Sequence, residues 1–357
     1  MHRIFVITIL TITIFGLLMV ASSSSIESRQ VFGNVYHFFI KQLAIGLFGL
    51  FLFFAIDRFF SIKFFKKTAL ISFFIVFLLL LSVFIPWINF TYGGASRWID
   101  LGFITFQPSE LAKIGLILFS AAWLATRKKD IKSLFKTFIP YLIIIGIPLV
   151  LILLQKDIST FFITSITLFA MIFLAGTKIK YLSGVGIIIT TLIVIAIFVF
   201  PTRIDRVRVF LDKEIDPQGI SYQVNQSLIA IGSGGITGRG LGMSNQKFSF
   251  LPEPSGDSIF AVIGEELGFI GSLFVMFAYL ILFIEGIIIA KKANDFSQLF
   301  IYGFITLVII QVFINIGSVT GLVPFTGVTL PFVSYGGTSL VALLIGAGIV
   351  ARIAREQ

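Results

Sequence analysis

Apolar residues in this chain form long runs separated by short polar segments. A run of about 20 apolar residues crosses the hydrocarbon core of a bilayer as a helix rising about 1.5 Å per residue. Ten runs approach or exceed this length, so the pattern predicts an all-α polytopic membrane protein with ten transmembrane helices. The predicted runs are 4–22, 40–57, 68–88, 110–126, 138–154, 159–176, 181–200, 258–290, 297–317 and 336–351.

The first run follows "MHR" and precedes "ASSSS", so a cleaved signal peptide is an alternative to a retained anchor. Its apolar core is longer than the roughly 7 to 15 residues of a signal-peptide core. This length favours a retained transmembrane anchor.

Composition supports the membrane class, because 57% of the residues are hydrophobic and 12% are charged. The net charge of +10 would suggest nucleic-acid binding in a soluble protein. Here the basic residues recur in short loops on alternate sides of the spans, which the positive-inside rule assigns to the cytoplasm. We therefore expect an inner-membrane protein with both termini cytoplasmic and no nucleic-acid partner. The basic segments are 57–67, 127–136, 177–180, 291–295 and 351–357.

Residue types limit the possible chemistry. The chain has no cysteine, which excludes disulfides, thiolate nucleophiles and cysteine metal sites. His2 and His37 are the only histidines and lie apart in the sequence, so a histidine triad or zinc site is not expected. Carboxylates are therefore the candidate general bases.

One domain, residues 1–357, is predicted, with a long extracytoplasmic loop at 201–257 between helices 7 and 8. Loops of this length are uncommon unless they have a function. Within it, 220–234 has the spacing of a short helix on or re-entering the membrane. The second outer loop, 84–110, is rich in aromatic residues. The third, 320–339, is uncharged and predicts a structured hairpin packed on protein.

The segment "GSGGITGRGLG" (232–242) resembles a phosphate loop but lacks the Gly-Lys-Ser/Thr ending and faces outward. Nucleotide binding is therefore not expected. Two interpretations stay open: the loop brings backbone N–H groups and Arg239 to a pyrophosphate, or its glycines serve only its conformation.

The segment "QPSELAKIG" (107–115) reads as a helix entry with Pro108 in the first turn. Glu110 and Lys113 could simply form a pair at i and i+3. However, Lys113 lies at membrane depth, so we expect it to face a cavity or bind an anion. Upstream, Arg97 could hold a phosphate and Trp98 could stack on a sugar.

Two aspartates precede predicted helices, so helix capping is an alternative to catalysis for both. For Asp157 capping is the favoured interpretation. Asp257 is a stronger functional candidate, because Glu253 and the glycine-rich segment lie close to it in the sequence.

Four segments together resemble the SEDS family of FtsW, RodA and SpoVE. They are "GGASRWIDLG", "FQPSELAK", "QSLIAIGSGGITGRGLGMSNQKFSFLPEPSGDSIFAVIGEELGFIG" and "TGLVPFTGVTLPFVSYGGTSL", within residues 93–340. The segment "NQKFSFLPEP" looks more like the FtsW branch than the RodA branch. The chain departs from the family at Ser255, Gly256 and Ser258, around an aspartate that it retains, and at Lys156, where the family usually has proline.

The resemblance implies a peptidoglycan glycosyltransferase that polymerises lipid II and releases undecaprenyl pyrophosphate, with inversion in a single displacement. It implies Asp257 as the catalytic base. Arg97, Lys113, Arg239 and Lys247 are candidates for stabilising the leaving group, with Lys247 expected in a hydrated loop. A divalent cation, Mg²⁺ or Mn²⁺, could share that work near Glu253 or Glu110, although the spacing defines no metal site.

The expected protein partners are a class B penicillin-binding protein and the divisome or elongasome around it. A lipid II flippase and a non-catalytic scaffold for a transpeptidase are the alternative functions. The buried charges cluster at the outer end of the spans, with Glu285 as an exception near the inner end of its helix. A flippase should continue such charges to the cytoplasmic side.

Overall fold

The computed structural model describes residues 1–87, 89–92, 95–100, 102, 105–199, 201–212, 215, 221–248 and 250–357. Most of these residues are helical. The helices are α1 (His2–Ser23), α2 (Ser25–Phe32), α3 (His37–Phe59), α4 (Ile62–Ser82), α5 (Pro108–Thr126), α6 (Ile139–Leu154), α7 (Ile158–Leu174), α8 (Ile179–Val199), α9 (Pro201–Leu211), α10 (Tyr222–Gly234), α11 (Ile259–Lys292), α12 (Asp295–Val319) and α13 (Gly337–Arg355). The strands are β1 (Asn89–Tyr92), β2 (Ala95–Asp100) and β3 (Thr105–Phe106).

The ten predicted runs each coincide with an apolar helix. Among the described residues, nine helices are long and apolar enough to cross a membrane. The remaining run forms α7, which has 17 residues and would extend only ~25 Å at the rise of an α-helix. A multi-pass, almost entirely helical membrane protein is therefore confirmed, and the count of ten spans stays a prediction.

Helix α4 begins earlier and ends earlier than the predicted run at 68–88. Ser61 is its N-cap, and its hydroxyl accepts a hydrogen bond from the backbone N–H of Phe64 at 3.3 Å. The three lysines assigned to a loop therefore lie in the first turns of the helix. The hydropathy pattern misplaces the start of α4 because the lysines make its first turns look polar, and because hydropathy does not detect a helix cap.

A small sheet, absent from the all-α prediction, lies between α4 and α5. It is antiparallel with strand order β1-β2-β3. Asn89 pairs with Ile99, and Asp100 pairs with Thr105. The strands are too short to produce a recognisable alternating pattern in an aromatic-rich loop.

Helix α11 is interrupted at Gly268, whose φ of 67° and ψ of −161° are not helical. The interruption separates a short segment, 259–267, from a longer one, 269–292. The predicted run at 258–290 treats both as one helix because the apolar sequence continues across the glycine. The predicted short helix before it is confirmed as α10, whereas α9 was not predicted.

The segment 320–336 is packed on protein, as predicted, but within the described residues it contains no strands and is not a paired hairpin. Leu330, Phe332 and Val333 are buried. The carbonyl of Pro331 accepts a hydrogen bond from the Tyr279 hydroxyl. This irregular backbone is covered by helices, as membrane-depth loops must be.

The two ends of the helix bundle differ. At one end, Asp57 contacts both His2 and Arg355, so the two chain termini lie together. At the opposite end, the N-terminal parts of α5 and α13 meet, where the backbone N–H of Gln107 donates to Thr338 at 3.2 Å. The candidate site lies at this second end.

Candidate active site

Asp257 lies immediately before α11, in a backbone fixed from two other elements. The side chain of Asn315 on α12 donates to the carbonyl of Asp257 at 2.8 Å and to that of Val328 at 2.7 Å. The Ser334 hydroxyl donates to the carbonyl of Gly256 at 2.6 Å. The main chain carrying Asp257 is therefore held by α12 and by segment 320–336 together.

The carboxylate of Asp257 is buried, with 8% of the residue exposed. Its Oδ1 atom has no hydrogen-bond partner within the described part of the chain. Burial, followed by the negative charge of Glu253, raises the pKa of Asp257 to about 7, although nearby backbone N–H groups and Arg206 oppose the rise. Ser258 occupies the N-cap position of α11 and makes no side-chain capping bond. The carboxylate thus retains unused hydrogen-bonding capacity.

Arg206, on α9, is the cation that most directly faces Asp257. A β-carbon at Gly327 would lie 3.3 Å from Asp257 Oδ2 and 3.9 Å from Arg206 Nη1, so the bare glycine leaves the space between the two groups open. Arg206 also donates to the carbonyl of Phe325 at 3.2 Å. Burial lowers the pKa of Arg206, and the charges of Asp257 and Glu253 oppose this change.

Two further carboxylates lie on the solvent side of Asp257. Glu253 is exposed and adopts a φ of 45°, unusual for a residue other than glycine. Its pKa is raised by partial desolvation and lowered by Arg206. Glu27, on α2, has its pKa raised by desolvation and by Glu253, while a hydrogen bond from Ser255 lowers it. The pocket therefore contains more negative than positive groups near Asp257.

Arg97, on β2, connects the sheet to the start of α7. Its Nη2 donates to the carbonyl of Lys156 at 2.9 Å, and its Nη1 lies 3.7 Å from Asp157 Oδ1. Asp157 accepts a bond from the backbone N–H of Thr160 at 3.3 Å, which confirms it as the α7 cap. Arg97 also lowers the pKa of Arg206 by repulsion, which places it near the Asp257 pocket.

Trp98, next to Arg97 on β2, is half-buried and pairs across the sheet with Phe90. Lys156 has a φ of 61°. A proline, fixed near −65°, could not adopt this backbone, so the departure from the family pattern at this position changes the turn itself.

Glu110 and Lys113 form a buried pair on α5. Lys113 Nζ lies 2.9 Å from both carboxylate oxygens of Glu110, and only 2% of Lys113 is exposed. The simple i, i+3 pair is therefore present. An anion could bind Lys113 only by sharing or displacing Glu110.

Arg239 and Lys247 lie with a second acidic cluster, formed by Glu265 and Glu266. Lys247 Nζ lies 2.7 Å from Glu266 Oε1 and donates to the carbonyl of Gly242 at 2.7 Å. Arg239 Nη1 lies 3.6 Å from Glu265 Oε1. The prediction of a hydrated Lys247 is wrong: only 4% of the residue is exposed, because Glu266 is buried against it.

The glycine-rich segment also packs on this second cluster. The backbone N–H groups of Arg239 and Gly240 donate to the carbonyls of Glu265 and Glu266, each at 3.0 Å. A β-carbon at Gly238 would collide with the Glu266 carbonyl. The conformational interpretation is therefore favoured for these N–H groups, which are already bonded. Asp257 and Glu265 are about 12 Å apart along a helix axis.

Four members of the pocket are not predicted by the sequence: Arg206, Glu27, Asn315 and Gly327. Arg206 belongs to "PTRIDRVRVFL", whose regularly spaced charges were a detectable signal for a helix. Nothing local in the sequence marks the other three, because they come from separate elements.

No group of three or more metal-ligating side chains was found among the described residues. Glu253 and Asp257 offer two carboxylates with Arg206 beside them, and Glu110 is paired with Lys113. The divalent cation therefore stays a prediction.

The chain is thus a multi-pass membrane protein with a buried carboxylate pocket at one end of its helix bundle. Residues 2–357 match the FtsW/RodA/SpoVE family, described as cell cycle proteins, and the chain belongs to this family. The SEDS resemblance is confirmed.

Two relatives illustrate the match. The chain is 39% identical over 354 residues to "Stage V sporulation protein E" of Bacillus subtilis, covering 98% of this chain and 95% of that protein. It is 37% identical over 347 residues to "Probable peptidoglycan glycosyltransferase FtsW" of a Geobacter species, covering 97% and 94%.

Solved structures agree with the fold. One, described as "Structural coordination of polymerization and crosslinking by a peptidoglycan synthase complex", has a TM-score of 0.78 and 30% identity, covering 99% of this chain and 97% of that one. The rod shape determining protein RodA of Thermus thermophilus has a TM-score of 0.71 and 25% identity, covering 99% and 96%.

Proposed function

We propose that this chain is a peptidoglycan glycosyltransferase that polymerises lipid II during cell division or elongation. Family membership and relatives named as probable peptidoglycan glycosyltransferases support this activity. The observation that carries the assignment to a site is Asp257: a buried carboxylate whose pKa is raised to about 7 and whose Oδ1 has no partner in the described structure.

Asp257 acts as the general base in this proposal. The 4-hydroxyl of the acceptor GlcNAc attacks the anomeric carbon of the donor MurNAc, and its proton passes to the Asp257 carboxylate. The bond from that carbon to the pyrophosphate oxygen breaks with inversion, and undecaprenyl pyrophosphate leaves. A base is most effective when its pKa lies near the working pH, which suits the raised value of Asp257.

Arg206 and Arg97 stabilise the leaving pyrophosphate in this proposal, because a guanidinium matches phosphate geometry and keeps its charge when partly buried. Arg97 has one of its two terminal nitrogens bonded to the Lys156 carbonyl. Trp98 provides a stacking face for a sugar. Lys113 contributes if the substrate shares its bond with Glu110.

The remaining predicted binding residues receive different roles. Glu253 lies at the exposed side of the pocket, where it keeps the Asp257 pKa high. Arg239 and Lys247 support the backbone around α11 through their pairs with Glu265 and Glu266. Substitution of Glu253, and of Arg239 or Lys247, tests these two roles.

In this proposal the pocket lies at the outer face of the cytoplasmic membrane, both termini are cytoplasmic, and residues 1–357 form one integral membrane domain. Basic loops lie at the end opposite Asp257, and one of their lysines, Lys128, pairs with Asp295 at 2.6 Å. The proposed partners are a class B penicillin-binding protein and the divisome or elongasome. Similarity to a chain of a peptidoglycan synthase complex supports such an assembly.

The test is polymerisation of lipid II by the purified full chain, with and without its transpeptidase, followed by gel analysis of glycan products. Asp257→Asn keeps the size of the side chain but removes the proton acceptor, so polymerisation should fall about 100-fold or more. Asp205→Asn is the matched control, because Asp205 lies on α9 and pairs with Arg208 at 3.4 Å.

A flippase or a scaffold should be insensitive to Asp257→Asn. Normal polymer from Asp257→Asn would remove Asp257 as the base. Asp257→Glu, which keeps a carboxylate on a longer side chain, should retain more activity than Asp257→Asn at equal membrane abundance.

A further inference from the structure

A groove of about 320 Å³ lies at the end of the molecule opposite Asp257, between α3 and the last residue of α13. We call it the arginine groove. Its volume is within the range of small-ligand sites. The lining residues are Phe51, Phe54, Ala55, Asp57, Arg58, Phe59 and Arg355.

The charges of the arginine groove do not balance. Asp57, only 2% exposed, is paired on one oxygen with His2 at 3.0 Å and on the other with Arg355 Nη2 at 2.7 Å. Arg58 is exposed, and its side chain makes no hydrogen bond or ion pair with the described part of the chain. The groove therefore presents a free guanidinium, together with the unused N–H groups of Arg355.

The apolar residues that line the groove lie on the same helix face as Arg58. Phe51, Phe54, Ala55 and Arg58 are spaced three or four residues apart and therefore share one face of α3. Phe51 is 67% exposed and Phe54 is 45% exposed. Because α3 is long and apolar enough to cross the membrane, this face runs from a cationic end at the membrane boundary towards the hydrocarbon core.

We propose that the arginine groove binds a membrane phospholipid with an anionic headgroup. The phosphodiester pairs with Arg58 and with the free N–H groups of Arg355, since guanidinium donors match phosphate oxygens. One acyl chain lies along Phe54 and Phe51. The occupant is a lipid because the aromatic face continues from the arginines into the membrane. An acyl chain would contact this face, whereas a soluble phosphate compound would contact only the arginines. This site is independent of the proposed glycosyltransferase activity.

The test measures lipid retention by native mass spectrometry of the purified full chain, titrated in detergent with dioleoyl phosphatidylglycerol or dioleoyl phosphatidylcholine. Wild type should retain the anionic lipid preferentially. Arg58→Gln should weaken that retention about fivefold, the contribution of one basic residue near an anionic surface. Lys129→Gln is the matched control, because Lys129 is exposed at the same end of the molecule but outside the groove.

Phe54→Ser should weaken retention of both lipids, because it removes acyl-chain contact and leaves the charge. Excess glycerol 3-phosphate should not displace phosphatidylglycerol; displacement would mean that the groove binds free phosphate compounds instead. Equal effects of Arg58→Gln and Lys129→Gln, or equal retention of the two lipids by wild type, would overturn the proposal. Lipid II polymerisation should remain normal in Arg58→Gln, so this result is separable from the test of Asp257.

Discussion

Two acidic clusters lie at opposite ends of the short helical segment 259–267, and they differ in their hydrogen bonding. Glu265 and Glu266 are fully buried, yet their carboxylates accept bonds from backbone N–H groups, hydroxyls and a lysine. Asp257 is nearly as buried but has an oxygen without a partner in the described residues. Burial alone therefore does not identify a reactive acid, and it is unused hydrogen-bonding capacity that distinguishes Asp257 from Glu265 and Glu266.

The physical basis of this contrast is the cost of burying charge. A buried carboxylate that is paired and hydrogen-bonded is tolerated as a structural element. A buried carboxylate with few partners shifts its pKa towards neutrality and becomes a useful proton acceptor. The two clusters show both outcomes within one short sequence, "SGDSIFAVIGEE".

Breaking the second cluster should have the largest effect on stability. Glu266→Ala leaves Lys247 buried without its carboxylate, which should lower the free energy of unfolding by about 3–5 kcal/mol. Unfolding in mixed detergent and SDS micelles measures the change. Glu356→Ala is the control, because that carboxylate forms a partly exposed pair with Arg352 and should contribute at most about 1 kcal/mol. Equal losses would mean that the buried pair is not structural.

The pH dependence of activity tests the cluster around Asp257. Because the pKa of Asp257 is raised to about 7, polymerisation should rise with pH about tenfold per unit below that value and then level off. Polymerisation rates measured from pH 5 to 9, with a substrate that is stable over this range, check the predicted profile. A flat profile in this range would contradict a raised pKa at the base.

The stability of the folded protein should fall with rising pH, whereas activity should rise. The folded pKa of Asp257 lies above the ordinary value of 3.8, so the folded state binds the proton more tightly than the unfolded state. Its stabilising contribution is therefore lost as pH rises from about 4 to about 7. Relative to wild type, Asp257→Asn should gain melting temperature between pH 5 and pH 8.

The glycine-rich segment allows a matched comparison of two glycines with similar φ angles. Gly238 has a φ of 80° and Gly242 a φ of 83°. A β-carbon at Gly238 would collide with the Glu266 carbonyl, whereas one at Gly242 meets nothing within 4 Å. Gly238→Ala should therefore cost about 1–3 kcal/mol more than Gly242→Ala in thermal unfolding. Similar costs would show that only backbone strain matters here.

Arg206→Gln should have the smallest effect, a loss of polymerisation of about tenfold from weaker charge stabilisation. Because Arg206 lowers the pKa of Asp257, its removal should also move the pH profile to higher pH. Arg208→Gln on the same helix is the control. A rate loss without a shift of the pH profile would show that Arg206 does not influence the pKa of Asp257.

Much of the fold was predictable because hydrophobic runs of the required length have few alternatives in a bilayer. Asp257 and its backbone environment were identified through the family resemblance of the segment around it. Arg206 was not, because only tertiary packing brings α9 against segment 320–336. Lys247 was misjudged since its sequence neighbours are polar, while its buried partner, Glu266, lies 19 residues away.

The interruption at Gly268 determines which parts of the molecule are free to move. The glycine-rich segment bonds to the helix on both sides of the break: Arg239 and Gly240 donate to it before the break, and Phe269 and Ile270 donate to the segment after it. Four backbone hydrogen bonds therefore make this joint stiff rather than a hinge. Rotation of Asp257 relative to the membrane span would break all four together. We therefore expect any widening of the Asp257 pocket to involve another element that contacts it, such as α9, which carries Arg206.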